Sequence, residues 1–158
     1  MSKSPSLRAV GSLDIPPAPS AAEALALAFP AVDPGFRPFH SRVLVQFRTA
    51  MPYLILRNGS KFHLPDDAVD TEKWNTQVAK VLALGPLAFH NRQTGQPWPE
   101  GAWAQVGDFV RVPKYGTGDR WEVSYGPAAE DRAMIALYND LDLMGAVTGD
   151  PLRVKAFL

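Results

Sequence analysis

The sequence predicts an all-β protein: a small β-barrel that carries an extended, proline-rich N-terminal arm. Short runs of β-branched and aromatic residues recur from Phe36 onward, separated by turn residues. The 15 prolines among 158 residues favour extended segments and turns over a helical bundle. Seven of them lie between Pro5 and Pro38, so the beginning of the chain differs from the rest. We therefore divide the chain into an arm, 1–35, and a barrel domain, 36–158.

The composition excludes several classes of protein. Sixteen basic and sixteen acidic residues give zero formal net charge, which argues against a protein whose main task is to coat nucleic acid. The absence of cysteine excludes disulfides, thiolate metal sites and a cysteine nucleophile. No run approaches the roughly 20 apolar residues of a membrane helix, and no signal peptide is evident. We therefore expect a soluble, intracellular protein without nucleic-acid or membrane partners.

The arm combines a polyproline-like stretch with one short helix. Residues Ile15–Pro19 have extended, polyproline chemistry. Ser20 is the predicted cap of a helix over Ala21–Phe29, with Glu23 completing a capping box, and Pro30 ends it. So short a helix is marginal in water, so we expect it to pack on another surface. The candidate partner contacts of the arm are its apolar residues Leu13, Ile15, Leu25, Leu27 and Phe29.

Alternating and apolar runs predict the strands of the barrel. Turn signals separate them, among them Asn58-Gly59 and Gly85-Pro86. The segment Asp140–Val147 is predicted to form one helical turn and then a strand. The predicted strands are Arg42–Phe47, Tyr53–Leu56, Lys61–Leu64, Val78–Leu84, Phe109–Val112, Trp121–Val123 and Ala133–Leu137.

Catalytic, metal and cofactor patterns are not found in the sequence. Residues Gly116–Asp119 resemble a phosphate-binding loop but lack its Gly-Lys-Ser/Thr continuation. The pairs Asp66-Asp67 and Asp140/Asp142 adjoin turns, where aspartate bonds its own backbone. The histidines have no metal-binding spacing, and no serine stands in a nucleophile elbow. We therefore predict a non-enzymatic protein without cofactor or metal, in which the histidines are structural or superficial: His40, His63 and His90.

Two of the four tryptophans lie close together in the sequence. Trp98 and Trp103 bound the segment Trp-Pro-Glu-Gly-Ala-Trp. Exposed aromatic rings of this kind can form a platform for a ligand, and the same rings can pack a small core or a subunit contact. Both interpretations stay open at this point.

Several motifs in order resemble the GroES-type co-chaperonin family. The stretch Arg-Pro-Phe-His-Ser-Arg-Val-Leu-Val is similar to the opening strand of that family, and Val-Gly-Asp-Phe-Val to one of its turns. The resemblance extends from about Phe36 to Val147 and is greatest to divergent, phage-encoded members. The matching segments are Arg37–Val45, Leu64–Ala68, Lys80–Pro86, Val106–Val110, Lys114–Gly116 and Ala133–Val147.

The resemblance implies a fold and an assembly. The family fold is a small Greek-key-like β-barrel, whose subunits usually form seven-fold rings by pairing their first and last strands between neighbours. The residues from Leu87 to Ala104 are implied to form the dome hairpin of the family, which here carries Trp98 and Trp103.

The partner-binding loop implied by the resemblance departs from the family pattern. Co-chaperonins bind their chaperonin through Gly-Gly-Ile-Val/Ile-Leu, whereas this chain has Gly-Ser-Lys-Phe-His-Leu. A histidine in place of an aliphatic side chain costs on the order of 1.5–3 kcal/mol of burial. The same loop contains the apolar run Met51–Leu56. This run is either a substitute anchor for the chaperonin or one strand of a firmer hairpin. The candidate loop contacts are Tyr53, Leu54, Ile55, Phe62, His63 and Leu64.

Two functions from different classes fit these observations. In the first, the chain is a phage capsid decoration or cement protein on the virion surface, which binds the major capsid protein or other virion subunits through its barrel and arm. In the second, it is a phage-encoded co-chaperonin in the host cytoplasm, which caps a GroEL-type chaperonin and assists folding of capsid protein. Self-association is expected in both cases.

Overall fold

The computed structural model describes five stretches of the chain: 20–49, 53–55, 61–63, 77–113 and 119–153. These stretches contain one helix, α1 (Ala21–Ala28), and two short 3-10 turns, Asp140–Asp142 and Pro151–Arg153. The described strands are β1 (Arg42–Phe47), β2 (Tyr53–Ile55), β3 (Lys61–His63), β4 (Val78–Leu84), β5 (Phe109–Arg111), β6 (Asp119–Ser124), β7 (Arg132–Asn139) and β8 (Gly145–Ala146).

Six of these strands form one antiparallel sheet in the order β6-β7-β1-β4-β5-β8. Strand β1 lies at its centre, with Val43 opposite Leu84 of β4 and Tyr138 of β7. The register of β1 and β4 shifts between Leu44 and Val45. Strands β2 and β3 form a separate two-stranded sheet. The protein is therefore mostly β, which confirms the predicted class, and every predicted strand is present within about two residues of its expected ends.

Both faces of β1 are buried, which explains why four of its six residues are apolar and do not alternate with polar ones. Val43, Val45 and Phe47 alternate along the strand and face the main hydrophobic core. Leu44 and Gln46 lie between them and point to the opposite face, yet both are at most 1% exposed. The opposite face must therefore be covered by another part of the chain.

Residues 29–36, which we call the strap, contact this opposite face. The side-chain amide of Gln46 donates a hydrogen bond of 2.9 Å to the carbonyl oxygen of Pro30. Further along, the ring of Phe36 meets that of Trp121 in β6 edge-on, with 5.1 Å between centroids. The bond to Gln46 satisfies a buried amide that would otherwise be costly. The strap therefore runs from α1 across β1 to the edge strand β6.

Helix α1 docks on the sheet of its own chain. Its N-cap is as predicted, since the Glu23 backbone N–H donates to the Ser20 hydroxyl oxygen at 3.2 Å. Phe29 at its end is 4% exposed and meets the ring of Phe109 edge-on at 5.0 Å. The N–H of Thr49 donates to the carbonyl oxygen of Ala28 at 2.7 Å. The expectation that this helix packs on another surface is confirmed, and that surface is β4, β5 and the residues after β8.

Tyr138 is the largest fully buried side chain of the main core. The guanidinium of Arg120 donates a 2.9 Å hydrogen bond to its hydroxyl and lies 4.6 Å from the centre of the Phe47 ring. The pKa of Tyr138 is raised above its ordinary 10.0, because burial disfavours the phenolate, while the charge of Arg120 opposes the shift. The folded protein therefore holds this proton more tightly than the unfolded chain does.

A pH dependence of stability follows from this raised pKa. The contribution of Tyr138 is fully present below pH 10.0 and is lost as the pH rises, because the unfolded chain releases the proton first. We expect Tyr138→Phe to lower the free energy of unfolding by about 1–2 kcal/mol at neutral pH and to remove this alkaline loss. Urea unfolding at several pH values measures both effects. The matched control is Tyr125→Phe, at an exposed tyrosine, and an unchanged alkaline slope in Tyr138→Phe would contradict the assignment.

Candidate interaction surfaces

The segment between β4 and β5 gathers three aromatic rings. Trp98 lies 4.7 Å from Trp103 and 5.6 Å from Phe89, measured between ring centroids. Phe89 is 1% exposed and belongs to the main core, against which Trp98 also packs. Trp103 is 39% exposed. The two tryptophans predicted as a platform or a packing unit are thus in contact, with Trp98 partly buried and Trp103 at the surface.

Phe89 has a left-handed backbone, with a φ of 62°, which a bulky residue rarely adopts. Its N–H donates to Oδ2 of Asp140 at 3.0 Å, a bond that links residues 51 positions apart. The other oxygen of Asp140 accepts from the N–H of Leu141 at 2.8 Å. Asp140 is 1% exposed, so its carboxylate holds the start of the segment against the end of β7. The sequence predicts the local bond of Asp140 in its turn but gives no signal for the distant one.

The end of β4 approaches the residues before β1 very closely. The N–H of Gly85 donates to the carbonyl oxygen of Arg42 at 2.8 Å, and that of Leu87 donates to the carbonyl oxygen of His40 at 2.9 Å. A Cβ atom on Gly85 would collide with the His40 carbonyl group. His40 itself has a φ of 59°. Its backbone therefore has a structural role in this contact.

Residues 90–97 form a compact turn. The side-chain oxygen of Asn91 accepts from the N–H groups of Gln93 and Thr94, at 2.9 and 3.2 Å. The implied dome hairpin is present only as one isolated bridge, between His90 and Pro97. Proline has no N–H, so Pro97 cannot donate to a ladder here. The segment is therefore a braced turn rather than a pair of long strands.

An open polar cleft separates this turn from the 3-10 turn Asp140–Asp142. Its volume is about 520 Å³. The residues that line it come from both turns and from the end of β7, together with Trp98: His90, Asn91, Arg92, Gln93, Trp98, Asn139, Asp140, Leu141 and Asp142.

A second, apolar cavity of about 300 Å³ lies beside the edge strand β8. Trp103 and Met144 line it, and Met144 is 65% exposed. Strand β8 pairs with β5, and no other described strand pairs with it. The cavity and the strand edge together offer apolar volume and main-chain groups to an extended segment of another chain. The remaining lining residues are Ala104, Val110, Leu143, Gly145 and Ala146.

The predicted arm contacts differ in accessibility. Phe29 is buried and Leu25 is partly buried in the cluster beneath α1, whereas Leu27 is 50% exposed. A partner could reach Phe29 only by displacing the helix. Leu13 and Ile15 lie outside the described residues. Among the predicted arm contacts that the structure describes, Leu27 is the one open to a partner.

The predicted loop contacts lie on the separate sheet of β2 and β3. Its register places Tyr53 opposite His63 and Leu54 opposite Phe62, and Ile55 pairs with Lys61. For β2 and β3 the structure describes the backbone pairing only. Leu64 lies outside the described residues. The structure thus brings five of the six loop candidates together on one hairpin.

In the described stretches, no three histidine, aspartate or glutamate side chains come together in a way that could hold a metal ion. None of the helices described has the length and apolar character to cross a bilayer.

No protein-family model matches the chain, and no curated protein matches it.

Proposed function

We propose that this chain is a GroES-like co-chaperonin subunit, which acts by binding other proteins rather than by catalysis. The resemblance of motifs and their order support a GroES-like barrel. The observation that carries the function is the separate hairpin of β2 and β3. In the sequence, this hairpin lies between β1 and β4, at the position where the resemblance implies the chaperonin-binding loop.

The hairpin has the properties of a binding element. An isolated two-stranded hairpin is marginally stable in water, so a partner surface would contribute to its stability. Its register pairs Leu54 with Phe62, two side-chain types that fill apolar grooves. His63 stands where the family has an aliphatic residue, so the contact of each subunit with the chaperonin would be weaker than in the family. In a ring the contacts are linked, so modest individual affinities still give firm capping.

Edge strands support assembly into a ring. Strands β6 and β8 are the outermost strands of the six-stranded sheet. An apolar cavity adjoins β8 and has Met144 at its rim. A head-to-tail contact that joins unlike surfaces of neighbouring copies closes into a ring when its rotation allows. The resemblance implies that neighbours pair through the first and last strands of the family fold. Strand β1, which matches the first, is already paired on both sides by β4 and β7, so we propose β8, which matches the last, as the strand that makes the contact.

The second candidate is the capsid decoration or cement protein, with the major capsid protein or other virion subunits as partners. The docked helix and the strap favour it, because they attach the described part of the predicted arm to the sheet. We place it second because Phe29 and Leu25 already pack within their own chain. The protein would remain with washed virions if this role were correct.

A refolding assay tests the co-chaperonin proposal. We expect the chain to stimulate ATP-dependent refolding of a stringent substrate by a GroEL-type chaperonin. Leu54→Ser should reduce its apparent affinity about tenfold or more, because an anchor worth roughly 1.5–3 kcal/mol is lost from every subunit. The matched control is Leu141→Ser, since Leu141 is 67% exposed and lies outside the hairpin. Absence of stimulation at saturating protein, or equal effects of both variants, would refute the proposal.

A further inference from the structure

We propose that the polar cleft beside Trp98 is a binding site for a neutral, hydroxyl-rich ligand, a saccharide. The cleft belongs neither to the hairpin nor to the edge of the sheet, so the inference is independent of chaperonin capping. Its volume of about 520 Å³ is within the range of small-ligand sites, roughly 300–1,000 Å³.

Hydrogen bonds within the protein hold both walls of the cleft in place without a ligand. One wall is the compact turn of residues 90–97, held from inside by the side chain of Asn91. The other is the 3-10 turn that begins at Asp140. The Asp140 carboxylate accepts an N–H from each side, those of Phe89 and Leu141, and the Arg92 guanidinium donates to the Ser41 hydroxyl oxygen. A site of fixed shape binds its ligand without the entropic cost of ordering loops.

The lining combines one aromatic ring with planar polar groups. The ring of Trp98 is fixed by its contacts with Phe89 and Trp103. Amide side chains offer both donors and acceptors, and those of Gln93 and Asn139 lie on the cleft. A saccharide has both complementary features, since its C–H face packs on an aromatic ring and its hydroxyl groups donate and accept hydrogen bonds.

The charges of the lining favour a neutral ligand. Arg92 faces the cleft together with two carboxylates, those of Asp140 and Asp142. Charges of both signs therefore lie side by side in the lining, so a bare anion such as phosphate and a bare cation would each meet repulsion as well as attraction. Both oxygens of Asp140 already accept backbone N–H groups. Asp142 is thus the carboxylate that would accept ligand hydroxyl groups, while Arg92 would donate to them.

Saturation-transfer NMR on the full chain tests this site. The probes are maltotriose and triacetylchitotriose at millimolar concentration, with inorganic phosphate titrated separately as the charged comparison. We expect a signal from at least one saccharide, and about a tenfold weaker affinity in Gln93→Ala and in Asp142→Asn. Gln96→Ala is the matched control, because Gln96 belongs to the same turn but does not line the cleft. That variant should bind as the wild type does.

Three results would overturn the inference: no transfer to either saccharide, equal binding by the cleft variants and the wild type, or binding of phosphate in place of the saccharides. Circular dichroism of each variant checks that the fold is intact. None of these results bears on refolding by a chaperonin, so failure of this inference and failure of the proposed function are separately recognisable.

Discussion

Replacing Gly85 by alanine is expected to lower the free energy of unfolding by about 3 kcal/mol or more. The new Cβ would collide with the backbone carbonyl of His40, and it would also lie 3.1 Å from the carbonyl oxygen of Arg42. Both neighbours are main-chain atoms, so no side-chain rotation relieves the overlap. Separating the segments would break the bonds from Gly85 to Arg42 and from Leu87 to His40. The start of β1 and the end of β4 would therefore lose their alignment.

Urea unfolding followed by tryptophan fluorescence measures this loss. Gly149→Ala is the matched control, because a Cβ there meets no atom within 4 Å and the backbone is not left-handed. That variant should match the wild type or gain up to about 1 kcal/mol. A Gly85→Ala protein within 1 kcal/mol of the wild type would mean that the two segments do not approach as described.

Replacing Phe29 by alanine is expected to cost about 3 kcal/mol. The ring is 4% exposed and packs against Phe109, so its removal leaves a cavity beneath α1. Loss of this anchor should also release the helix and its bond between the Thr49 N–H and the Ala28 carbonyl. We therefore expect hydrogen exchange at Thr49 to accelerate, while the N–H of Val81, which donates to Asp108, keeps its relative protection.

The control for this variant lies on the same helix. Leu27 is 50% exposed, so Leu27→Ala should change stability by no more than about 0.5 kcal/mol. Equal effects of the two substitutions would show that α1 is not docked on the sheet.

Local patterns were sufficient to predict the secondary structure. The β-branched and aromatic residues of Arg42–Phe47 and the terminators Gly85-Pro86 place β1 and β4 at their observed bounds. Ser20 and Glu23 predict the start of α1 in the same way. These signals act within a few residues, so a single sequence is enough to interpret them.

Contacts between distant residues could not be predicted in this way. The bond from Phe89 to Asp140 spans 51 positions, and that from Gln46 to Pro30 spans 16. Both depend on the pairing order of the sheet, which periodicity does not specify. Phe29 illustrates the consequence, since an exposed contact and a buried anchor have the same apolar sequence signal. The polar cleft was missed for the same reason, because its walls come from separate segments.

A native mass spectrum of the purified chain would show whether it assembles into a ring. A co-chaperonin subunit should assemble without its partner through its own edge strands. A seven-fold ring of 17.2-kDa subunits has a mass of about 120 kDa, and we expect this species. A monomer at micromolar concentration would contradict this expectation.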